Sequence, residues 1–362
     1  MPELITAHGS VRLPAFFPDA TYGAVRCTPF EDVRSRGLVM NSYHLYNRPG
    51  PRLIQSLGGL HAFTGFDGVL LTDSGGFQLF SLIRENSAYG EIRESEILFR
   101  PDMGKEKLIF TPEKCIQAQF RYMSDIMMCL DVCTSPDDSF EVQRRSVDLT
   151  VKWAKRCKEE YETQLRARRI KGQRPLLFGI VQGGQYRDLR LECGERLEEI
   201  GFDGYGFGGW PLDSEGHLRE DILQDAADAM PDNKVKYAMG LGRPEEIVKL
   251  VKMGYNLFDC VIPTREARHQ RLYVFREGME TREGVLRPEG DFFRYHRALD
   301  EENARDARPV DENCDCALCR SHSRAYLYHL FKTEDPQALR YSTAHNLRFY
   351  ERLMELLRGD EA

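Results

Sequence analysis

The sequence predicts an α/β fold: a (β/α)8 TIM barrel followed by a small C-terminal lobe built around a metal. Short apolar runs that stop abruptly at glycine or polar residues alternate with segments of helical spacing at least five times, the pattern of parallel strands joined by right-handed crossovers. An open dinucleotide-binding sheet needs a Gly-rich turn that leads from a strand into a helix. The one such stretch, Gly204-Tyr-Gly206-Phe-Gly208-Gly209, runs into Trp210-Pro211 instead. Three of the ten cysteines, Cys314, Cys316 and Cys319, fall in one short segment and predict the metal lobe.

The strands are read in order from the apolar runs. Val69-Leu70-Leu71 precedes Thr72-Asp73-Ser74-Gly75-Gly76, and 126–130 precedes Asp131. Next come 176–181 before Gln182-Gly183-Gly184, 205–207 before Gly208-Gly209, 235–239 before Gly240, and Leu257-Phe258 before Asp259. Unbroken apolar runs of this length suit strands buried on both faces. Between them, Thr111-Pro112-Glu113 supplies an N-cap, a proline in the first turn and an early acid for a helix over 116–123. Apolar residues at helical spacing predict further helices over 142–165, 189–200, 218–230 and 244–253. The barrel is placed at 1–277. Residues 278–362 form a linker and lobe, loop-rich and charged over 278–313 and ending in an amphipathic helix over 341–357 that packs on the barrel.

Thiolates at i, i+2 and i+5 can converge on one Zn²⁺, and an imidazole from a later helix completes the tetrahedron. His322 is too close in sequence to wrap back, whereas His329 and His345 both lie on helical stretches with the needed reach. Four protein ligands leave no open position, so the zinc is expected to be structural. The alternative is three unpaired thiols beside a loop. Cys27, Cys115, Cys129, Cys133, Cys157, Cys193 and Cys260 are scattered through apolar or helical contexts and read as reduced core residues.

The formal net charge of -7 argues against a protein that coats nucleic acid nonspecifically. One local exception is the stretch holding Arg265, Arg268, Arg271 and Arg276 against Glu266 and Glu277, which alone is a solvated loop more often than a binding site. No apolar run is long enough to cross a bilayer, and Met1-Pro2-Glu3-Leu4 begins no leader pattern, so a cytoplasmic location is expected.

In a barrel the C-terminal strand ends share one face, which gathers Asp73, Asp131, Gln182, Gly209 and Asp259 around one pocket. A carboxylate there can attack an anomeric carbon while a second moves protons on the departing group. The remaining acid, amide and backbone N–H groups suit the edge of a flat base, and glycine lets backbone approach it. A single strand-end Asp can also merely cap the following helix. Metal-assisted hydrolysis is disfavoured because no His-x-His pair ends a strand.

Several motifs carry a resemblance over nearly the whole chain: Ser42-Tyr-His-Leu-Tyr-Asn-Arg-Pro-Gly50, Leu71-Thr-Asp-Ser-Gly-Gly-Phe-Gln78, Phe178-Gly-Ile-Val-Gln-Gly-Gly184, Phe258-Asp-Cys-Val-Ile-Pro-Thr-Arg265, the cysteine cluster, and Tyr341-Ser-Thr-Ala-His-Asn-Leu347. The chain resembles the bacterial type of tRNA-guanine transglycosylase, in the queuine tRNA-ribosyltransferase family. The resemblance implies exchange of the wobble guanine in tRNAs with a GUN anticodon (the Asp, Asn, His and Tyr isoacceptors) for a 7-deazaguanine base, in queuosine biosynthesis. It makes Asp259 the nucleophile and Asp73 the general acid/base. Asp131, Gln182, Gly208 and Gly209 would hold the base, with Phe77 and Met239 stacked on its faces. Arg265 and Arg268 would contact the anticodon, and His345 would be the fourth ligand of one structural Zn²⁺ per subunit. A homodimer is implied as well.

The chain departs from the family pattern at Trp210-Pro211 and at Leu212, beside the expected 7-substituent, while Cys133 agrees with the bacterial type. These residues favour the aminomethyl precursor over queuine itself. Glu266 replaces a small or amide residue, and the 272–313 segment reads longer than usual. Competing expectations are queuine salvage, a non-catalytic zinc-stabilised tRNA-binding partner subunit, and a relative acting on DNA or making archaeosine. Archaeosine synthesis is disfavoured by the short stretch after the lobe, and the non-catalytic role by the presence of both Asp73 and Asp259.

Overall fold

Eight short parallel strands close around a core of aliphatic and aromatic side chains in a computed structural model that describes residues 3–101, 107–288 and 290–360. Met1 and Pro2, Glu289 within the long 272–313 segment, and Glu361 and Ala362 at the end of the lobe lie outside the described residues. The strands are Ala15–Pro18 (β1), Gly37–Met40 (β2), Val69–Thr72 (β3), Ile126–Met128 (β4), Leu176–Val181 (β5), Gly204–Phe207 (β6), Val235–Ala238 (β7) and Leu257–Cys260 (β8). They pair in the order β1-β8-β7-β6-β5-β4-β3-β2. A parallel bridge between Asp19 and Val39 closes the ring, and the Ala20 N–H donates to the Val39 carbonyl at 2.7 Å.

Strand alternation sorts the side chains. Ala15, Phe17, Val39, Val69, Leu71, Met128, Phe178, Ile180, Val235, Tyr237 and Leu257 fill the barrel as one buried cluster, while Phe16, Met127, Leu177 and Phe258 face the surrounding helices. Glycine makes the filling possible at two places. A Cβ at Gly37 would sit 2.2 Å from the Phe17 ring and one at Gly204 2.6 Å from the Phe178 ring, so each ring occupies the space its neighbour leaves.

The helices that pack outside are Gly76–Glu85 (α1), Pro112–Tyr122 (α2), Phe140–Ala167 (α3), Arg187–Ile200 (α4), Glu220–Asp228 (α5), Pro244–Lys252 (α6), Ile262–Arg268 (α7) and Gln337–Arg358 (α8). Thr111 caps α2 as predicted, its hydroxyl accepting the Lys114 N–H at 3.2 Å. Helix α5 begins after the predicted 218 because Leu212 bridges to Leu218 and the Arg219 N–H donates to Pro211 O, which commits that stretch to a turn. Strands β1 and β2 escape sequence reading because Pro14 and Pro18 bracket the first, and the second is followed by Asn41 rather than by the glycine or acid that marked the others.

The 278–313 segment is less irregular than expected. Phe293–Arg297 pairs antiparallel with Arg271–Phe275, and its Phe-Arg-Tyr-His-Arg sequence hid the strand among charges. A small separate core joins Leu272, Val274 and Val310 to Cys314, Cys316, Leu318 and Leu327. Helix α8 bridges the two parts: Phe349, Tyr350, Leu353 and Met354 enter the barrel's helical core, and the Tyr350 hydroxyl donates to Gly242 O at 2.6 Å. Six of the seven scattered cysteines are buried. Cys27 is exposed at positive φ (65°) in a turn, so the expectation of a core position fails there.

At the barrel floor Asp125 accepts the Leu70 N–H at 2.9 Å and also meets His8 Nδ1 at 2.8 Å and His61 Nε2 at 3.3 Å. The two imidazoles stack at 3.5 Å, and His61 Nε2 also lies 2.9 Å from Gly68 O, so this cluster is satisfied internally and ties the N-terminal hairpin to β3 and β4. Among the described residues no helix is long and apolar enough to cross a membrane.

Candidate functional site

The C-terminal strand ends open on a cavity of about 440 Å³ whose wall includes Asp73, Phe77, Asp131, Gly209, Met239 and Asp259. Asp73 follows β3, just before Gly75 turns the chain into α1 with a φ of 74°. Its Oδ1 accepts the N–H groups of Ser42 (2.8 Å) and Gly75 (3.1 Å), and its Oδ2 accepts Asn41 Nδ2 (2.7 Å). Asn41 is fixed in turn, because its Oδ1 caps the next helix through the His44 N–H at 3.0 Å. Burial pushes the Asp73 carboxyl up to about 7 against the pull of the two backbone N–H groups, and the charges of Asp259 and Asp19 add to the rise.

Asp259, in β8, has a different environment. Its Oδ1 accepts both the Tyr237 hydroxyl (2.7 Å) and the Gly240 N–H (2.8 Å), which leaves Oδ2 as the available oxygen. Burial raises this carboxyl to about 6, opposed by those two hydrogen bonds. Asp131 is buried, and its Oδ2 accepts Gln182 Nε2 at 2.7 Å and the Cys133 thiol at 3.5 Å. Burial raises Asp131 too, with the Gln182 and Cys133 bonds opposing. Gln182 stands behind Asp131 rather than on the cavity wall. It is fully buried, and its Oε1 has no hydrogen-bond partner.

The two glycines of the expected base cradle differ. Gly208 donates its N–H to Val181 O at 3.0 Å, and a Cβ there would lie 2.6 Å from Gln182 Nε2; its part is to give Gln182 room. Gly209 adopts a φ of 109° and has no backbone hydrogen bond among the described residues, so its N–H is the one available to a ligand. Arg190 holds this turn from below. Its guanidinium donates to Gly184 O (2.8 Å), Val181 O (3.2 Å) and Gly208 O (3.3 Å), and burial lowers it to about 10.

Phe77 and Met239 both border the cavity. Phe77 is 42 % exposed, and its ring tilts against Trp210 with centroids 5.5 Å apart. Trp210, Pro211 and Leu212 form a wall on the same side, braced by a turn in which Asp213 accepts the N–H groups of Glu215 and His217, each at 2.9 Å. The Trp210 Nε1 is buried without a partner. Arg265 and Arg268 lie on α7 directly after Asp259's strand. Arg265 is exposed, whereas Arg268 folds back onto Thr264 O at 3.0 Å. Glu266 turns inward, 7 % exposed, and its carboxylate pairs with Arg271 at 2.5 Å and with Arg265 at 3.8 Å, so it sits beneath the arginines and holds two of them.

In the lobe, the donor atoms of Cys314, Cys316, Cys319 and His345 all lie within 4.8 Å of one another. His345 Nδ1 is 3.3 Å from Cys319 Sγ and 3.5 Å from Cys316 Sγ, and its Nε2 is 2.8 Å from Tyr273 O. A proton on Nε2, donated to that carbonyl, leaves the Nδ1 lone pair facing the thiols, the tautomer a metal ligand needs. The set can therefore hold a metal ion. His329, left open by spacing, is exposed on the far side of its helix, and His322 pairs with the Tyr341 hydroxyl at 3.1 Å.

Four residues of the site went unread in the sequence: Asp19, Asn41, Arg190 and Tyr237. A signal existed for Arg190, which shares helical spacing with buried Cys193 and Leu197 on α4. Tyr237 looked like any aromatic of a buried strand.

A family model described as queuine tRNA-ribosyltransferase matches residues 1–360. Curated proteins with the name queuine tRNA-ribosyltransferase are similar over nearly the whole chain. That of Caldanaerobacter subterraneus is 40 % identical over 358 residues, covering 98 % of this chain and 88 % of the relative. Those of Solidesulfovibrio magneticus and Idiomarina loihiensis are 39 % and 40 % identical, each over 98 % of this chain and 89 % and 88 % of the relative.

Proposed function

Since the chain belongs to the queuine tRNA-ribosyltransferase family, we propose that it exchanges the wobble guanine of GUN-anticodon tRNAs for a 7-deazaguanine through a covalent Asp259–ribosyl intermediate. The observation that carries this reading is the pair Asp73 and Asp259 on one cavity, with unlike hydrogen bonding. Asp259 Oδ2 attacks C1′ of the ribose, the C1′–N9 bond breaks, and the departing guanine takes a proton from Asp73. The incoming base gives its N9 proton to Asp73, N9 attacks C1′, and the Asp259–C1′ ester bond breaks. Asp131, held by the Gln182 amide behind it, and the Gly209 N–H read the base edge, and the faces of the base lie against Phe77 and Met239.

The first step requires Asp259 ionised and Asp73 protonated. A single-turnover rate of adduct formation should rise as pH climbs through about 6, where Asp259 loses its proton, and fall as it passes about 7, where Asp73 does. A rate flat from pH 5 to 9 would contradict these roles.

The bulk of Trp210 and Leu212 supports the aminomethyl precursor as the incoming base. The direct assay is release of labelled guanine from preloaded tRNA. The precursor should drive release and queuine should not. Release by queuine would reassign the enzyme to salvage, and release by neither would refute exchange. Arg265 and Arg268 are read as anticodon contacts, and the resemblance supports a homodimer. For the metal we infer zinc, because three thiolates and one imidazole suit its soft tetrahedral preference. Its role would be to pin the C-terminal lobe, whose small core also takes in Leu272 and Val274 from before residue 278.

A further inference from the structure

Asp19 is a carboxylate at the barrel mouth for which the reaction above has no role. Its place follows from strand alternation. Ala15 and Phe17 point into the barrel and Phe16 points out, so Asp19, two residues beyond Phe17, falls on the inner side. Its parallel bridge to Val39, another inward residue, agrees. Phe17 is also the register partner of Asp259, so Asp19 stands one step nearer the mouth on the strand beside the nucleophile. From strand spacing and rise, the two Cα atoms are roughly 8 Å apart.

The ring order places Asp259 on β8, Asp19 after β1, Asn41 after β2 and Asp73 after β3. Asp19 thus sits between the two reacting carboxylates, across the mouth from Asp131 and Gly209. It is not on the wall of the cavity that takes the base. Its one hydrogen bond among the described residues is to Oδ1, from the Thr21 hydroxyl at 2.6 Å, which leaves Oδ2 as an acceptor in a half-buried position. Its charge reaches both Asp73 and Asp259, whose carboxyls it helps to raise.

With the base held on the Asp131 side and C1′ at Asp259, the sugar extends toward β1 and β2. In an internal nucleotide the 3′ and 5′ oxygens are esterified, so the only free hydroxyl is on C2′, the carbon next to the one attacked. Resting on the proposed transglycosylation, the geometry points to Asp19 as the acceptor for that 2′-hydroxyl, positioning C1′ for Asp259 and selecting ribose over deoxyribose. A 2′-hydroxyl contact is how a protein tells RNA from DNA, and hydrogen bonds at this position strengthen as a glycosidic bond breaks.

The test compares kcat/KM for base exchange on anticodon stem-loops that carry either guanosine or 2′-deoxyguanosine at the target position and are otherwise identical. One hydrogen bond to a carboxylate is worth about 10- to 100-fold, so the wild-type protein should prefer the ribonucleotide by that factor. In Asp19→Val and Asp19→Asn the preference should shrink toward unity through loss on the ribonucleotide alone. A wild-type protein without preference, or variants that keep it, would overturn the assignment, and the wild-type comparison needs no variant to fold. Absence of exchange on the ribonucleotide by wild type would overturn the underlying reaction as well, whereas exchange without preference overturns only the role of Asp19.

Discussion

Asp259→Asn is expected to lower base exchange by about 10⁴-fold or more, the scale on which removal of a covalent nucleophile acts. The substitution is nearly isosteric. An Asn Oδ1 can still accept the Tyr237 hydroxyl and the Gly240 N–H, so the geometry of β7 and β8 is retained. Only the oxygen that would attack C1′ is lost. The fold should not suffer. The carboxyl of Asp259 is raised above its ordinary value, so its contribution to stability is present at low pH and is lost as pH rises through about 6. At pH 8 the neutral variant should melt at the same temperature as wild type or higher. Loss of activity together with a lowered melting temperature would point to a structural role instead.

The second large effect is at the metal. Removing it with a strong chelator, or replacing Cys316 with Ser, should unfold the C-terminal lobe. Structural zinc sites in small peptides contribute on the order of 10 kcal/mol, comparable to the whole stability of about 5–15 kcal/mol that a typical protein has. Cys314, Cys316 and Leu318 sit in the same small core as Leu272 and Val274, so the hairpin after α7 should loosen with the lobe. The measurement is limited proteolysis with metal analysis. New cleavage between 278 and 335 accompanied by release of one zinc per chain is the expected result. A folded, metal-free Cys316→Ser protein would contradict the cage.

What could be read in the sequence depended on how each residue was punctuated. Asp73, Asp131, Gln182 and Asp259 each follow or end an apolar run, so the strand announced the residue at its mouth. Asp19 has the same place in the barrel but follows Ala-Phe-Phe between Pro14 and Pro18, and prolines argue against a buried strand, so without a visible strand its carboxylate had nothing to end. Asn41 was hidden because, as neither a glycine nor an acid, it did not mark the end of β2. Tyr237 carries no sequence signal, because its alternation is that of a core residue and only the hydrogen bond to Asp259 separates it from Val235. The cysteine cluster was legible from spacing alone. The choice between His329 and His345 was not, since both lie on helices and only tertiary packing decides which faces the thiols. Gly208 and Gly209 look equivalent in sequence, yet the N–H of Gly208 is committed to β5 and that of Gly209 is not.

The proposed exchange requires a covalent bond between Asp259 and C1′. The most direct measurement is to mix the protein with guanosine-containing GUN anticodon RNA, denature it, and look for an RNA–protein adduct by gel and by peptide mass. The expected result is an adduct in the wild-type protein that maps to Asp259, is absent from Asp259→Asn, and is discharged when the incoming 7-deazaguanine is added. An adduct that persists in Asp259→Asn or maps to another residue would contradict it.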